Sequence, residues 1–279
     1  MVSHNIRLII ENLPSLLIGC HRENGVYQIL FGVVLRCFLV FALLFQGCTP
    51  TGSPVKVVGT AKFVPQSAPS APVETGISQD PESGGIFLQW YGASGIAGFK
   101  VFRSDSVTEL GVPVDFSLIS TVSANSGLGD TSMTDNSVTT GVEYWYYLRQ
   151  YANDGTVGSP SDTIHYQLLH RPALSNPKAN SVVTSGNVRF VWNDQANGGT
   201  TVIRVLDIGT VPPVYVWISK DTTFFGGTVT SANYDFDSSA TSPLTSGHSY
   251  QWRVDRFIFD SLGAVVSGSK SAWSSFSIQ

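Results

Sequence analysis

Ser267 and Lys270 satisfy the Ser-x-x-Lys spacing in which a lysine amine can activate a serine hydroxyl for acyl transfer. The chain has neither the Ser-Asp-Asn nor the Lys-Thr-Gly segment that completes such a site, and the pair falls in a Gly/Ser turn rather than at a helix start. The spacing therefore reads as chance. Asp235 and Asp237, in YDFDSS, alternate as strand neighbours could, but the glycine and terminal glutamate of a calcium loop are missing. A solvated face is the expectation there. The histidines His4, His21, His165, His170 and His248 show no metal-ligand spacing, and His248 sits inside a turn that it is expected to shape. These residues predict a non-enzymatic chain with no catalytic constellation, no metal and no cofactor.

Cys48 is the residue from which chemistry is expected. It follows CFLVFALLF at residues 37 to 45, with Arg36 before that run and Gln46-Gly47 after it. Nine helical residues rise about 14 Å, under half of a hydrocarbon core of about 30 Å, so a stable span is disfavoured. A positive residue, a short apolar core and a small residue before a cut are the parts of a secretory signal. The stretch resembles a bacterial lipoprotein signal, which implies a lipidated Cys48 as the first mature residue. Gly47, Cys48 and the polar Thr49-Pro50-Thr51-Gly52 match that pattern. Phe45 and Gln46 depart from it, standing where the family prefers Leu and a small residue, with Leu44 one place further out. An ordinary signal or anchor with an incidental cysteine is the alternative. Two or three acyl chains on Cys48 would anchor stably where one would not. Thr49 after the cysteine, rather than Asp, implies outer-membrane sorting. The expected location is the cell envelope, on a periplasmic or surface-exposed outer-membrane lipoprotein. Residues 1–47 form the leader, and the mixed polarity of 1–34 fits a translation start near Val34 or Leu35.

The chain beyond this leader must position any binding surface without staples, because Cys20, Cys37 and Cys48 leave the rest of it cysteine-free. A length of 279 residues accommodates two domains of about 100 residues and extra segments. Only 13% of residues are charged while Gly, Ser, Thr, Val and aromatics abound, which favours short strands and an all-β fold. The formal charge of −4 supplies no basic field for a phosphate backbone, so nucleic acid is not an expected partner. Residues 48–70, rich in Pro, Ser, Thr and Gly, read as a flexible tether.

Beyond the tether the chain repeats itself. IFLQW, GFKVFR and EYWYYLRQY in the first half answer VRFVW, TVIRVLD and SYQWRVDRF in the second. Trp90 and Trp192 are 102 residues apart, and Tyr144 and Tyr250 are 106 apart. VTTGVEYWYYL and LTSGHSYQWRV share an apolar-x-x-Gly-x-x-Tyr-x-aromatic-x-aliphatic pattern. At these residues the chain resembles tandem fibronectin type III domains, covering 71–170 and 171–279. The resemblance implies two immunoglobulin-like β-sandwiches, with Tyr144 and Tyr250 as tyrosine corners opening strand F. It places Trp90 and Trp192 on strand B, Phe99 and Val101 on the inner face of strand C, and GSPSDTIHY on strand G. Domain two departs at Thr201, where strand C usually has an aromatic, and over Gly209 to Ser242, where strand assignment stays open.

The period of two then separates faces. With Tyr144, Tyr146 and Leu148 inward, Trp145, Tyr147, Arg149 and Tyr151 point outward, joined by Lys100 and Phe102 of the adjacent strand. Such rings with cations could stack on sugars, anchor a protein partner, or form cross-strand pairs among themselves. The expected function is a membrane-anchored adhesion, binding or spacer protein acting on an unidentified protein, with a carbohydrate-binding accessory lipoprotein as the alternative. The loop NDGTVG, where fibronectin carries an integrin-binding Arg-Gly-Asp, gives no support to that activity.

Overall fold

The structure is a computed structural model that describes residues 58–124, 131–184, 188–194, 199–222 and 229–279. Cys48, the leader and the first part of the tether lie outside the described residues. Strands β1 to β18 make two β-sandwiches, each with its own apolar core.

The first sandwich contains β1 (Ser78–Gln79), β2 (Ile86–Gln89), β3 (Gly98–Ser104), β4 (Ser106–Val107), β5 (Pro113–Val114), β6 (Ser117–Ser123), β7 (Ser132–Asp135), β8 (Glu143–Tyr151) and β9 (Ile164–Leu168). One sheet runs β1-β2-β7 and the facing one β9-β8-β3-β6, with β4 and β5 forming a small ribbon beside it. Strict alternation on β8 sends Tyr144, Tyr146 and Leu148 inward against Ile86, Leu88, Trp90, Phe99 and Val101. Trp90 and Phe99 meet at 5.5 Å between centroids.

Part of the segment that composition reads as tether belongs to this body. Phe63 bridges Trp90, Val64 N donates to Gln89 O at 2.9 Å, and Ala61 is fully buried. Ala61, Phe63 and Val64, apolar among Pro and Ser, lay an extra segment along β2, so residues 61–64 belong to the folded body rather than to a tether.

The second sandwich contains β10 (Ala173–Asn176), β11 (Ser181–Val183), β12 (Arg189–Asn193), β13 (Thr200–Asp207), β14 (Val214–Ile218), β15 (Val229–Asn233), β16 (Ser249–Phe259), β17 (Val265–Lys270) and β18 (Ser274–Ile278). Here β10-β12-β15 faces a sheet in which β16 pairs β13 on one side and β17 and β18 on the other. The segment between Gly209 and Ser242 is thereby resolved into β14, which extends the sheet beside β13, and β15, which pairs β12. Thr201 does stand at the register position of Phe99, opposite Arg256. The missing ring is supplied from β14: Trp217 packs on Phe190, which also meets Trp252 and Phe276 at centroid distances of 4.9 to 6.0 Å.

The two tyrosine corners agree bond by bond. Thr139 N donates to Tyr144 Oη at 3.0 Å, and Thr245 N to Tyr250 Oη at 2.8 Å. Gly141 and Gly247, at φ of 82° and 84°, turn the chain where a Cβ would be strained, and their amides donate to Leu168 O and Ile278 O, both at 2.8 Å. Strand G repeats as well. Ser161 and Ser271 hold strand F alike, taking the amides of Leu148 and Val254 on their hydroxyls at 2.9 and 3.0 Å.

Both sandwiches lie within one compact unit. Their sheets join through a parallel pairing of β9 with β17, Gln167 opposite Ser267 and Leu168 opposite Gly268. Gly268 permits this seam: a Cβ there would overlap the Tyr166 hydroxyl and come within 2.7 Å of Arg256 O.

Candidate functional site

The outer face of β3 and β8 carries the aromatic strip where the alternation places it. Phe102 lies directly opposite Tyr147, and their rings stack at 4.7 Å and 12°. Phe116 adds a tilted contact with Tyr147 at 4.8 Å, and Trp145 stacks on His165 of β9 at 6.3 Å. Tyr151 lies opposite Gly98, where a Cβ would come 2.8 Å from its ring. The missing side chain is what lets that ring lie on the sheet. All four strip residues, Phe102, Trp145, Tyr147 and Tyr151, are partly exposed, and none is buried between the sandwiches. Much of their surface is nevertheless spent on one another, as cross-strand pairs worth roughly 0.2 to 1 kcal/mol each.

The charges on this face are not spent. Lys100 stands directly opposite Arg149. Like charges in that relation destabilise a sheet. Neither has a carboxylate in ion-pair range among the described residues, and the buried Nε of Arg149 has no hydrogen-bond partner there. Their contacts are to rings: Lys100 Nζ lies 5.9 Å from the Tyr151 centroid, and Arg149 Cζ 5.9 Å from that of Tyr147. The sole acidic residue in β3, β6, β8 and β9 is Glu143, already paired with His165 and six residues from Arg149, about 20 Å along the strand.

Sequence reasoning missed a second polar cluster, on the outer face of β13 and β16. Arg204 Nε donates to Asp255 Oδ2 at 2.6 Å, and Arg253 Nε pairs with Asp255 Oδ1 at 2.8 Å. Glu74, from the segment before β1, accepts from Lys270 Nζ at 2.8 Å and pairs with Arg253. Arg204 also donates to the main-chain oxygens of Pro69 and Ala71, and Trp273 covers Arg253 at 4.7 Å. Burial opposes ionisation of Glu74, but Lys270, Arg253 and Arg204 outweigh it and hold the carboxyl down at about 2. Arg253 is correspondingly pushed up: burial works against its charge, while Asp255 and Glu74 overcome that. The signal in the sequence was the alternation Trp252, Arg253, Val254, Asp255, which looks like a solvated face until residues 69–79 are seen to cover it.

The remaining candidates have structural roles. Lys270 reaches Ser78 and Glu74, whereas the Ser267 hydroxyl turns to Gln167, so the Ser-x-x-Lys pair does not converge. Asp235 and Asp237 lie in a turn rather than on a strand, a correction explained by their bonds. Asp235 caps the Ala240 amide, and Asp237 takes the Trp217 indole N–H at 3.0 Å. His248 holds Asp207 at 2.8 Å within the second corner. Trp90, Tyr144, Trp192 and Tyr250 are core residues, each no more than 4% exposed.

No family model and no curated protein matches the chain. Solved structures similar to it include an Fn3-like protein from Clostridium thermocellum, at 24% identity over 33% of this chain and 84% of that one, with a TM-score of 0.26. Another is the pectate lyase Pel3 from Pectobacterium carotovorum, at 17% identity over 45% of this chain and 33% of that one, TM-score 0.26. The FN1–FN3 domains of chicken CNTN1 align at 12% identity over 80% of this chain and 68% of that one, TM-score 0.32. The chain thus spans about a third of the pectate lyase's length. The fold class rests on the molecule's own strand order and its two matching corners: an all-β chain of fibronectin type III-like sandwiches.

Proposed function

We propose that this chain is a non-enzymatic binding protein of the cell envelope, anchored through a lipid on Cys48, whose first sandwich presents its outer sheet face to a protein partner. The observation that carries this reading is the partly exposed row of Phe102, Trp145, Tyr147 and Tyr151, with two unspent cations among the rings. Aromatic and arginine side chains are the residue types that dominate binding energy at interfaces. A protein pull-down lost with Trp145→Ala, while the melting temperature holds, supports the reading; unchanged capture by that variant counts against it. Lipidation is tested separately, because an acylated Cys48 at the mature amino terminus is expected by mass spectrometry. An intact Gln46-Gly47-Cys48 peptide would reject it.

A second reading, carbohydrate binding in support of a polysaccharide-processing system, draws on the Tyr151 ring lying over Gly98. Glycan-array binding that disappears with Trp145→Ala would favour it.

A further inference from the structure

The repeat lets the two outer faces be compared position by position. The offset of 102 that relates Trp90 to Trp192 maps Lys100 and Phe102 of β3 onto Val202 and Arg204 of β13. The offset of 106 that relates the corner tyrosines maps Tyr147, Arg149 and Tyr151 of β8 onto Arg253, Asp255 and Phe257 of β16. The pairings agree: Lys100 faces Arg149 as Val202 faces Asp255, and Phe102 faces Tyr147 as Arg204 faces Arg253.

In the second sandwich all five of these positions are buried, each no more than 4% exposed. Over Arg204 and Arg253 lies a looped stretch of polypeptide, residues 69–79, which turns at 69–70 and bends again at Gly76 before β1. It offers the main-chain oxygens of Pro69 and Ala71 to one cation and the Glu74 carboxylate to two others. In the first sandwich the same five positions are partly exposed. Among the described residues their two cations stand side by side with no carboxylate in ion-pair range, and one buried guanidinium nitrogen lacks an acceptor.

Resting on the reading that this face binds a protein, we infer that the outer face of β3 and β8 docks an acidic polypeptide segment, in the way the loop of residues 69–79 docks on β13 and β16. One carboxylate of the segment sits between Lys100 and Arg149. Their Cβ atoms are about 5 Å apart as cross-strand neighbours, so a single carboxylate can take both charges. The segment's apolar side chains lie against Tyr151, Tyr147 and Phe102. Positive charge concentrated here on a chain of formal charge −4 is the complement of such a partner.

The test is selection of random dodecapeptides displayed on phage against the immobilised full chain. Binding of a selected peptide and its Glu→Gln counterpart is then measured by fluorescence polarisation. The peptides are expected to be enriched in Asp or Glu, and both the Glu→Gln peptide and the Lys100→Gln/Arg149→Gln protein should bind about tenfold or more weakly. That double variant keeps every ring and removes a like-charge contact, so its melting temperature should not fall. Failure to select peptides, selection without acidic enrichment, or equal binding by the double variant would overturn the inference. So would Lys100- and Arg149-dependent binding of a galacturonate hexamer in place of peptides, which would assign the face to an acidic glycan. The protein-binding reading fails separately, when Trp145→Ala leaves capture of the partner unchanged.

Discussion

At the scale of single residues, two tyrosines and one glutamate carry distinct consequences. Each corner hydroxyl accepts one main-chain amide at the opening of strand F, so Tyr144→Phe or Tyr250→Phe should cost about 0.5 to 1.5 kcal/mol in urea unfolding without altering the strand content. Glu74 neutralises a junction with three cations and only one other acid, Asp255, among the described residues. Glu74→Gln should therefore cost roughly 3 kcal/mol, near the lower end for removing one partner of a buried pair. Its pH dependence has a definite sign. The folded pKa, about 2, lies below the ordinary 4.5, so the contribution is fully present above pH 4.5. It is lost as pH falls from 4.5 towards 2. Melting temperatures across that window should drop more steeply for the parent than for Glu74→Gln; parallel curves would contradict the assignment.

At the scale of elements, the seam between β9 and β17 and the segment before β1 fix one sandwich against the other. Gly268→Ala places a methyl group against the Tyr166 hydroxyl and the Arg256 carbonyl, where main chain cannot give way cheaply. It should lower stability by about 1 to 3 kcal/mol and raise hydrogen exchange in β9 and β17 ahead of β8. An exchange increase spread evenly over both cores would argue against a local seam effect. These elements also mark where the sequence could and could not be read. The corners, the paired tryptophans and the two faces of β8 were legible because period-two alternation and turn glycines are local signals. β14 and β15 were not, since Trp217 enters the core from β14, whose counterpart β6 (SLISTVS) carries no ring, so the two halves do not match in sequence there. The Glu74 cluster was hidden for a different reason: Arg204, Asp255 and Glu74 are brought together by packing across 181 residues of chain. The strip was legible in position, but that no carboxylate among the described residues pairs with Lys100 or Arg149 emerged only from the register.

At the scale of the whole molecule, one face of the repeated fold serves two purposes. On the second sandwich it holds the chain's own residues 69–79 and locks the pair together; on the first it is left open to solvent. Such a body offers that open face as part of one fixed surface rather than as two independently swinging modules. Acidification to about pH 3 should loosen it, since Glu74 is then losing its charge advantage. Small-angle scattering should show a larger radius of gyration at about pH 3 than at about pH 7, with the difference reduced in Glu74→Gln. The claim that matters most is that the face over β3 and β8 is a contact surface. The direct measurement is photo-crosslinking in cells with a benzophenone amino acid placed at Trp145, and at Phe87 on the opposite sheet as the control. The account predicts adducts from position 145 that vanish with Lys100→Gln/Arg149→Gln, and none from position 87. Equal yields from both positions, or no adduct from position 145, would contradict it.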